Sequence, residues 1–228
     1  MWLVFFLFVL SRGVNPAVDV LGQPDFSSNK VQSVSASSLS SPTALALDED
    51  DSLYVVDAGN RRVLFYRRDA HGNRFFSKKA DRVYGQRSFS SATCDRDGFR
   101  SISTIALDPR DGSLWISATG CSNNVPAIFV YPKNSTTQGS TLTFDVCGST
   151  EVQSIAFAPS GYFIYCGPRI YFFRFGANTP SIRLGVSGSA CSTTGVPEKG
   201  SMFAVSDEQG QVTLYVAGLI DFLLLLSF

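Results

Sequence analysis

The segment Ser41-Pro42-Thr43-Ala44-Leu45-Ala46-Leu47-Asp48 comes back as Ser101-Ile102-Ser103-Thr104-Ile105-Ala106-Leu107-Asp108. It returns more loosely as Gln153-Ser154-Ile155-Ala156-Phe157-Ala158, and again as Met202-Phe203-Ala204-Val205-Ser206. Each copy is followed by a polar turn and then by a second apolar run, at 53–56, 114–117, 163–165 and 214–216. A third run, at 63–66, 128–131 and 170–173, comes after a turn bearing Gly or Asn. Runs this short, rich in β-branched and aromatic residues and bounded by turn formers, predict strands joined by hairpins.

A second motif lies between the copies. Val20-Leu21-Gly22-Gln23-Pro24-Asp25-Phe26 matches Val83-Tyr84-Gly85-Gln86-Arg87-Ser88-Phe89, and Val146-Cys147-Gly148 and Arg183-Leu184-Gly185 read as degenerate copies. Each unit therefore reads strand a, b, c, a long connection, then strand d. The starts of strand a are placed at Ala46, Ala106, Ala156 and Ala204, in steps of 60, 50 and 48 residues. Four-stranded antiparallel units at this period predict an all-β propeller of about four blades. Residues 18–22 precede any strand a, so they are expected to form a d strand without a blade of its own.

The first copy, from Pro42 to Asp48 and on through Leu53-Tyr54-Val55-Val56-Asp57-Ala58-Gly59-Asn60-Arg61-Arg62-Val63-Leu64-Phe65-Tyr66, resembles an NHL repeat. The flanking Val-Leu-Gly-Gln-Pro-Asp-Phe resembles the linker of secreted NHL-repeat proteins. In the second copy Ala118-Thr119-Gly120-Cys121-Ser122-Asn123-Asn124 replaces the Asp-Ala-Gly-Asn-Arg-Arg turn, and the later copies are weaker. The resemblance covers roughly residues 17–218. It implies a propeller with strand a lining the central axis, in a family of five- or six-bladed rings, and it implies no single activity.

The ends point to a compartment. The ten apolar residues that open the chain are too few to span a bilayer and suit the core of a secretory signal, with cleavage after Gly13 or after Ala17. A buried first strand or a non-native start are the other readings. Residues 17–228 would form the propeller. Asn134-Ser135-Thr136 is an N-glycosylation acceptor in a polar stretch. The apolar C-terminus is too short for a membrane span.

The five cysteines, at 94, 121, 147, 166 and 191, show no CxxC spacing. Because strands alternate direction, the b-to-c turns and d-to-a connections share one end of a blade. Cys94 and Cys121 fall in those two places around the second blade, and Cys147 and Cys166 around the third. Disulfides Cys94–Cys121 and Cys147–Cys166 are expected, with Cys191 free; buried thiols in a reducing compartment are the alternative. Together with the signal and the sequon, they make the expected location extracellular or luminal.

Charge and chemistry narrow the function. Lys plus Arg and Asp plus Glu both number 19, which disfavours a dedicated nucleic-acid binder. A local basic excess, at Arg61, Arg62, Arg67, Arg68, Arg74, Lys78, Lys79, Arg82 and Arg87, reads as a solvated outer edge. His71 is the only histidine and sits in a hydrophilic stretch, so a multi-histidine zinc site is excluded, and no GxSxG elbow is present. Asp48-Glu49-Asp50-Asp51 lacks EF-hand spacing and reads as a solvated turn rather than a calcium site. Asp57, Asn60, Arg61 and Arg62 form a candidate binding face; the other reading is a turn in which Asp57 and Asn60 bond nearby backbone and an Arg pairs with Asp57.

The expected function is a non-enzymatic binding scaffold without cofactor or metal, its partner a protein or an anionic glycan. One rival is a metal-dependent lactonase or strictosidine-synthase-like propeller enzyme, for which the apolar strands a are poor in ligands. The other is a truncated gene product. Under that reading the four-leucine run near the C-terminus departs from the repeat and leaves an open arc; under its alternative, 222–226 is a true strand c that pairs with 18–22 and closes the ring.

Overall fold

The computed structural model describes residues 17–184, apart from 18, 29, 31, 69–75 and 168, together with the strand backbones at 200–206, 212–218 and 223–227. The first sheet comprises β1 (Pro42–Leu47), β2 (Leu53–Asp57), β3 (Arg62–Tyr66) and β4 (Arg82–Tyr84). The second comprises β5 (Phe99–Leu107), β6 (Leu114–Gly120), β7 (Pro126–Tyr131) and β8 (Ser140–Leu142). The third comprises β9 (Ser154–Ala158), β10 (Gly161–Cys166), β11 (Arg169–Arg174) and β12 (Ile182–Leu184). The fourth comprises β13 (Gly200–Ser206), β14 (Val212–Gly218) and β15 (Leu223–Ser227). Every sheet is an antiparallel meander in chain order, as the three apolar runs per repeat require.

The period-2 alternation of side chains sorts each strand between two inter-sheet layers. Tyr54, Val56, Val63 and Phe65 leave the first sheet on one side and pack against Ile105, Leu114 and Ile116 of the second. Trp115 and Ile128, on the second sheet's other side, pack against Ile155, Tyr162 and Ile164 of the third. Aromatic rings fill these layers edge-on, Trp115 lying 5.1 Å from Phe157 and 5.0 Å from Tyr162. The innermost strands stack in order, β1 on β5, β5 on β9 and β9 on β13. The molecule is all-β, with blade-like sheets, and no closed ring is formed among the described residues.

Four sequence expectations are corrected. Strand a begins before the marker alanines, at Pro42, Phe99, Ser154 and Gly200, because the pairing with strand b extends backwards, through irregularities between Pro42 and Ala44 and along β5. Val146-Cys147-Gly148 is not a d strand: Asp145–Cys147 is a 3-10 turn, and β8 takes that role. Residues 19–22 carry no strand and join no sheet among the described residues. Instead Leu21 packs with Leu39 over Leu53, Val55, Leu64 and Tyr66, and Asp19 and the Val20 carbonyl hold the Lys78 ammonium. The leucine run continues the repeat as β15, third in its sheet, rather than departing from it, and it is not paired with 19–22. The N-terminal apolar segment, His71 and Cys191 lie outside the described residues.

Burial raises the phenol of Tyr162 to about 12 and pushes Tyr54, Tyr66 and Tyr131 up as well. These groups bind protons more tightly folded than unfolded, so their contribution is intact below pH ~10 and is lost as pH rises toward 12. Tyr162 alone should account for roughly 2–3 kcal/mol over that window. An alkaline titration followed at 295 nm is expected to show tyrosine ionisation coinciding with unfolding by circular dichroism; independent ionisation near pH 10 would contradict it.

Candidate functional site

The residues proposed as a binding face do not form one. Asp57 and Arg62 are fully buried and Asn60 nearly so. Arg62 Nε donates to Asp57 Oδ2 at 2.7 Å, and Asn60 Nδ2 donates to the same oxygen at 2.9 Å. Asp57 Oδ1 accepts the Ser40 amide at 2.6 Å. The Arg62 guanidinium reaches three carbonyls, Phe89 at 2.5 Å, Ser35 at 2.9 Å and Ser38 at 3.0 Å. Arg61, half-buried, holds the left-handed conformation that closes the turn, with φ 55°. The Arg–Asp57 pair of the turn reading is present, but Asn60 bonds the Asp57 side chain rather than nearby backbone and Asp57 reaches the amide of Ser40, 17 residues away. The network ties the b-to-c turn of the first sheet to the connections that enter and leave that sheet.

The cysteines do the same work in the next two sheets. Cys94 is bonded to Cys121 and Cys147 to Cys166, with Cα separations of 5.5 and 5.6 Å. Each bridge joins a d-to-a connection to a b-to-c turn, the two places that Asp57 and Arg62 link in the first sheet. An ionic network and two disulfides thus occupy equivalent positions in successive units. Disulfides are features of oxidising compartments. Among the described residues no helix is long and apolar enough to cross a membrane.

The opposite end of the sheets, where a-to-b turns and c-to-d connections lie, carries a concavity. It is an open trough of about 1030 Å³ between the first and second sheets. Asp48 and Asp108 occupy equivalent turns, each donating its backbone N–H to the serine that closes the turn, Ser52 at 3.0 Å and Ser113 at 2.9 Å. The Asp48 carboxylate accepts the amides of Asp50 and Ser52, so the acidic run is a folded, solvated turn. Lys133 of the second unit pairs with Glu49 of the first, which raises the ammonium above its ordinary value, and Arg68 pairs with Asp51.

Arg82 lies over the Phe65 ring, 4.3 Å from its centre, and donates to the Asn134 side-chain oxygen at 3.0 Å. Asn134 is exposed at the trough rim in the loop between β7 and β8. Of these residues the sequence reading singled out the arginines, the acidic turn and Asn134 but missed Lys133 and Asp108. The signal was present in the repeat: Asp108 follows Leu107 as Asp48 follows Leu47, and Lys133 lies two past Tyr131 as Arg68 does past Tyr66. Among the described residues no group of three or more His, Cys, Asp or Glu is placed to hold a metal ion.

No family model matches the chain, and no curated protein matches it in sequence. Its fold is similar to that of Kuenenia stuttgartiensis hydrazine synthase, with a TM-score of 0.50 and 9% identity over 87% of this chain and 47% of that one. It is likewise similar to Saccharomyces cerevisiae Sqt1, with a TM-score of 0.50 and 10% identity over 78% of this chain and 44% of that one. This chain therefore spans less than half the length of each. At such identities the likeness concerns architecture alone. Together with the four stacked meanders, it gives the described residues a propeller-like fold.

Proposed function

We propose that this chain is a secreted, non-enzymatic binding scaffold of the NHL-repeat propeller type, and that it takes a protein partner in the trough between its first two sheets. The observation that carries the reading is the trough's charge pattern. Asp48, Glu49, Asp50, Asp51 and Asp108 line it with Arg67, Arg68, Arg82 and Lys133. Five carboxylates against four cations make a mixed, nearly balanced surface. That suits the alternating charges of a protein better than the uniform charge of an anionic glycan. The two disulfides and the exposed Asn134 acceptor support an extracellular or luminal setting.

The test begins with expression in secreting cells. The released chain should start after Gly13 or Ala17 and carry a glycan on Asn134; an intact N-terminus in the cytosol overturns secretion. The released protein is then presented to a panel of secreted proteins and to a glycan array at about 0.15 M salt. Retention of a protein that is lost on Arg67→Glu with Lys133→Glu, at unchanged thermal stability, is the expected result. Retention of sulfated glycans alone would replace the protein by a glycan. Metal-dependent lactone hydrolysis by the purified chain would overturn the scaffold reading.

A further inference from the structure

The layer between the first and second sheets is built on the same register as the layer between the second and third. Tyr54 is equivalent to Trp115, since they pair with Ala46 and Ala106. Ile105-Ala106-Leu107 aligns with Ile155-Ala156-Phe157, so Leu107 holds the place of Phe157. Leu114 and Tyr162 then pair with Tyr131 and Phe173, and two residues further on Lys133 holds the place of Phe175.

The two layers end differently. Between the second and third sheets, Phe157 sits edge-on to Trp115 at 5.1 Å, and the Arg110 guanidinium lies over Phe175, 3.1 Å from the ring centre. Between the first and second sheets, those places hold the shorter Leu107 and the exposed Lys133, whose ammonium turns to Glu49. Both residues line the trough. The trough is therefore the end of a layer that lacks the two phenylalanine rings its neighbour has.

What the trough does hold is one half of an arginine–aromatic stack. Arg82 lines it with one face of its guanidinium on Phe65, 4.3 Å from the ring centre. A guanidinium accepts a ring on either face. Leu107 and Leu47, the latter 43% exposed, add apolar surface to the same trough, over a buried base of Tyr54 and Phe65. A concave apolar floor with a stacking cation inside a charged rim suits a large side chain brought in by a protein.

We propose that the trough seats an aromatic side chain of the protein partner, its ring on Leu107 and on the face of Arg82 turned away from Phe65, in place of the rings that Phe157 and Phe175 supply one layer further on. This rests on the reading of the trough as a protein-binding site, and names the group it takes.

Saturation-transfer NMR of the purified chain with N-acetyl-tryptophanamide, an uncharged probe, tests it. The wild type should transfer saturation to the indole with a Kd of about 1 mM, and N-acetyl-leucinamide should bind at least about tenfold more weakly. Leu107→Phe gives the trough the ring found in the next layer and should weaken the indole by at least about tenfold, at a thermal midpoint no lower than wild type. Lys133→Phe, at an exposed position where overpacking is no concern, should do the same. Val125→Phe, exposed and off the trough, should leave binding unchanged. No transfer at about 10 mM probe, equal binding of the two amides, or binding untouched by both trough variants overturns the proposal. So does a secreted protein that is retained by the wild type and equally by both variants; that result leaves the scaffold reading standing, whereas retention of no protein overturns the scaffold reading itself.

Discussion

Replacing Arg62 by alanine is expected to lower the stability of the first sheet by roughly 3–5 kcal/mol. The loss comes from what stays behind. Asp57 remains fully buried without its guanidinium, and the carbonyls of Ser35, Ser38 and Phe89 each lose a donor. A lone buried carboxylate costs more than the intact pair contributes, so Asp57→Ala should be about as damaging as Arg62→Ala and the double variant far less than additive. The same network joins the loop around Ser35–Ser40 to the turn at 57–62 and to the connection at Phe89. Its loss should therefore appear first as faster hydrogen exchange in those three segments. Urea unfolding by far-ultraviolet circular dichroism gives the magnitude, and a loss below about 1 kcal/mol would place the pair among surface ion pairs in energetic effect.

The second large effect is expected on breaking the disulfides. The bridges span 27 and 19 residues, and in the loop-entropy model each contributes roughly 3 kcal/mol by restricting the unfolded chain. Cys94→Ser with Cys147→Ser should accordingly approach the whole stability of an ordinary domain, and little folded protein should accumulate at 37 °C. The two bridges should also differ in access. Cys94 is exposed, whereas Cys166 is buried in the layer between the second and third sheets. Graded reduction with trapping by alkylation is expected to label Cys94 and Cys121 first, the exposed bridge being the more labile. Simultaneous labelling of all four would mean that the sheets open together rather than separately.

The disulfides were legible because the repeat assigns every residue a place in its unit, and two residues in fixed places on one end of a sheet are near each other whatever the loop lengths. Arg62 was ambiguous for a reason the repeat cannot resolve. Charged side chains are mostly exposed, and only the convergence of three carbonyls, two of them 27 residues away, shows that this one is not. The trough was partly legible, since its acidic turn and arginines stood out by composition. Lys133 and Asp108 did not, because each looks ordinary until the second unit lies beside the first.

What the amino-acid order alone determined is the local chain: strands from short β-branched and aromatic runs, hairpins from the polar turns between them, a unit of three runs plus a linker, and the alternation that divides each strand between two layers. These follow from period-2 side-chain geometry and turn chemistry, which act over a few residues. The tertiary structure alone decided which polar residues are buried, which end of the sheets carries the trough, and that 19–22 lies across the first sheet without joining a ladder. A strand exists only where a neighbour supplies its hydrogen bonds, and a charge is buried only where distant backbone supplies partners. Leu21 and Arg62 both depend on groups brought to them by the stacking of whole sheets, and no local pattern encodes that arrival.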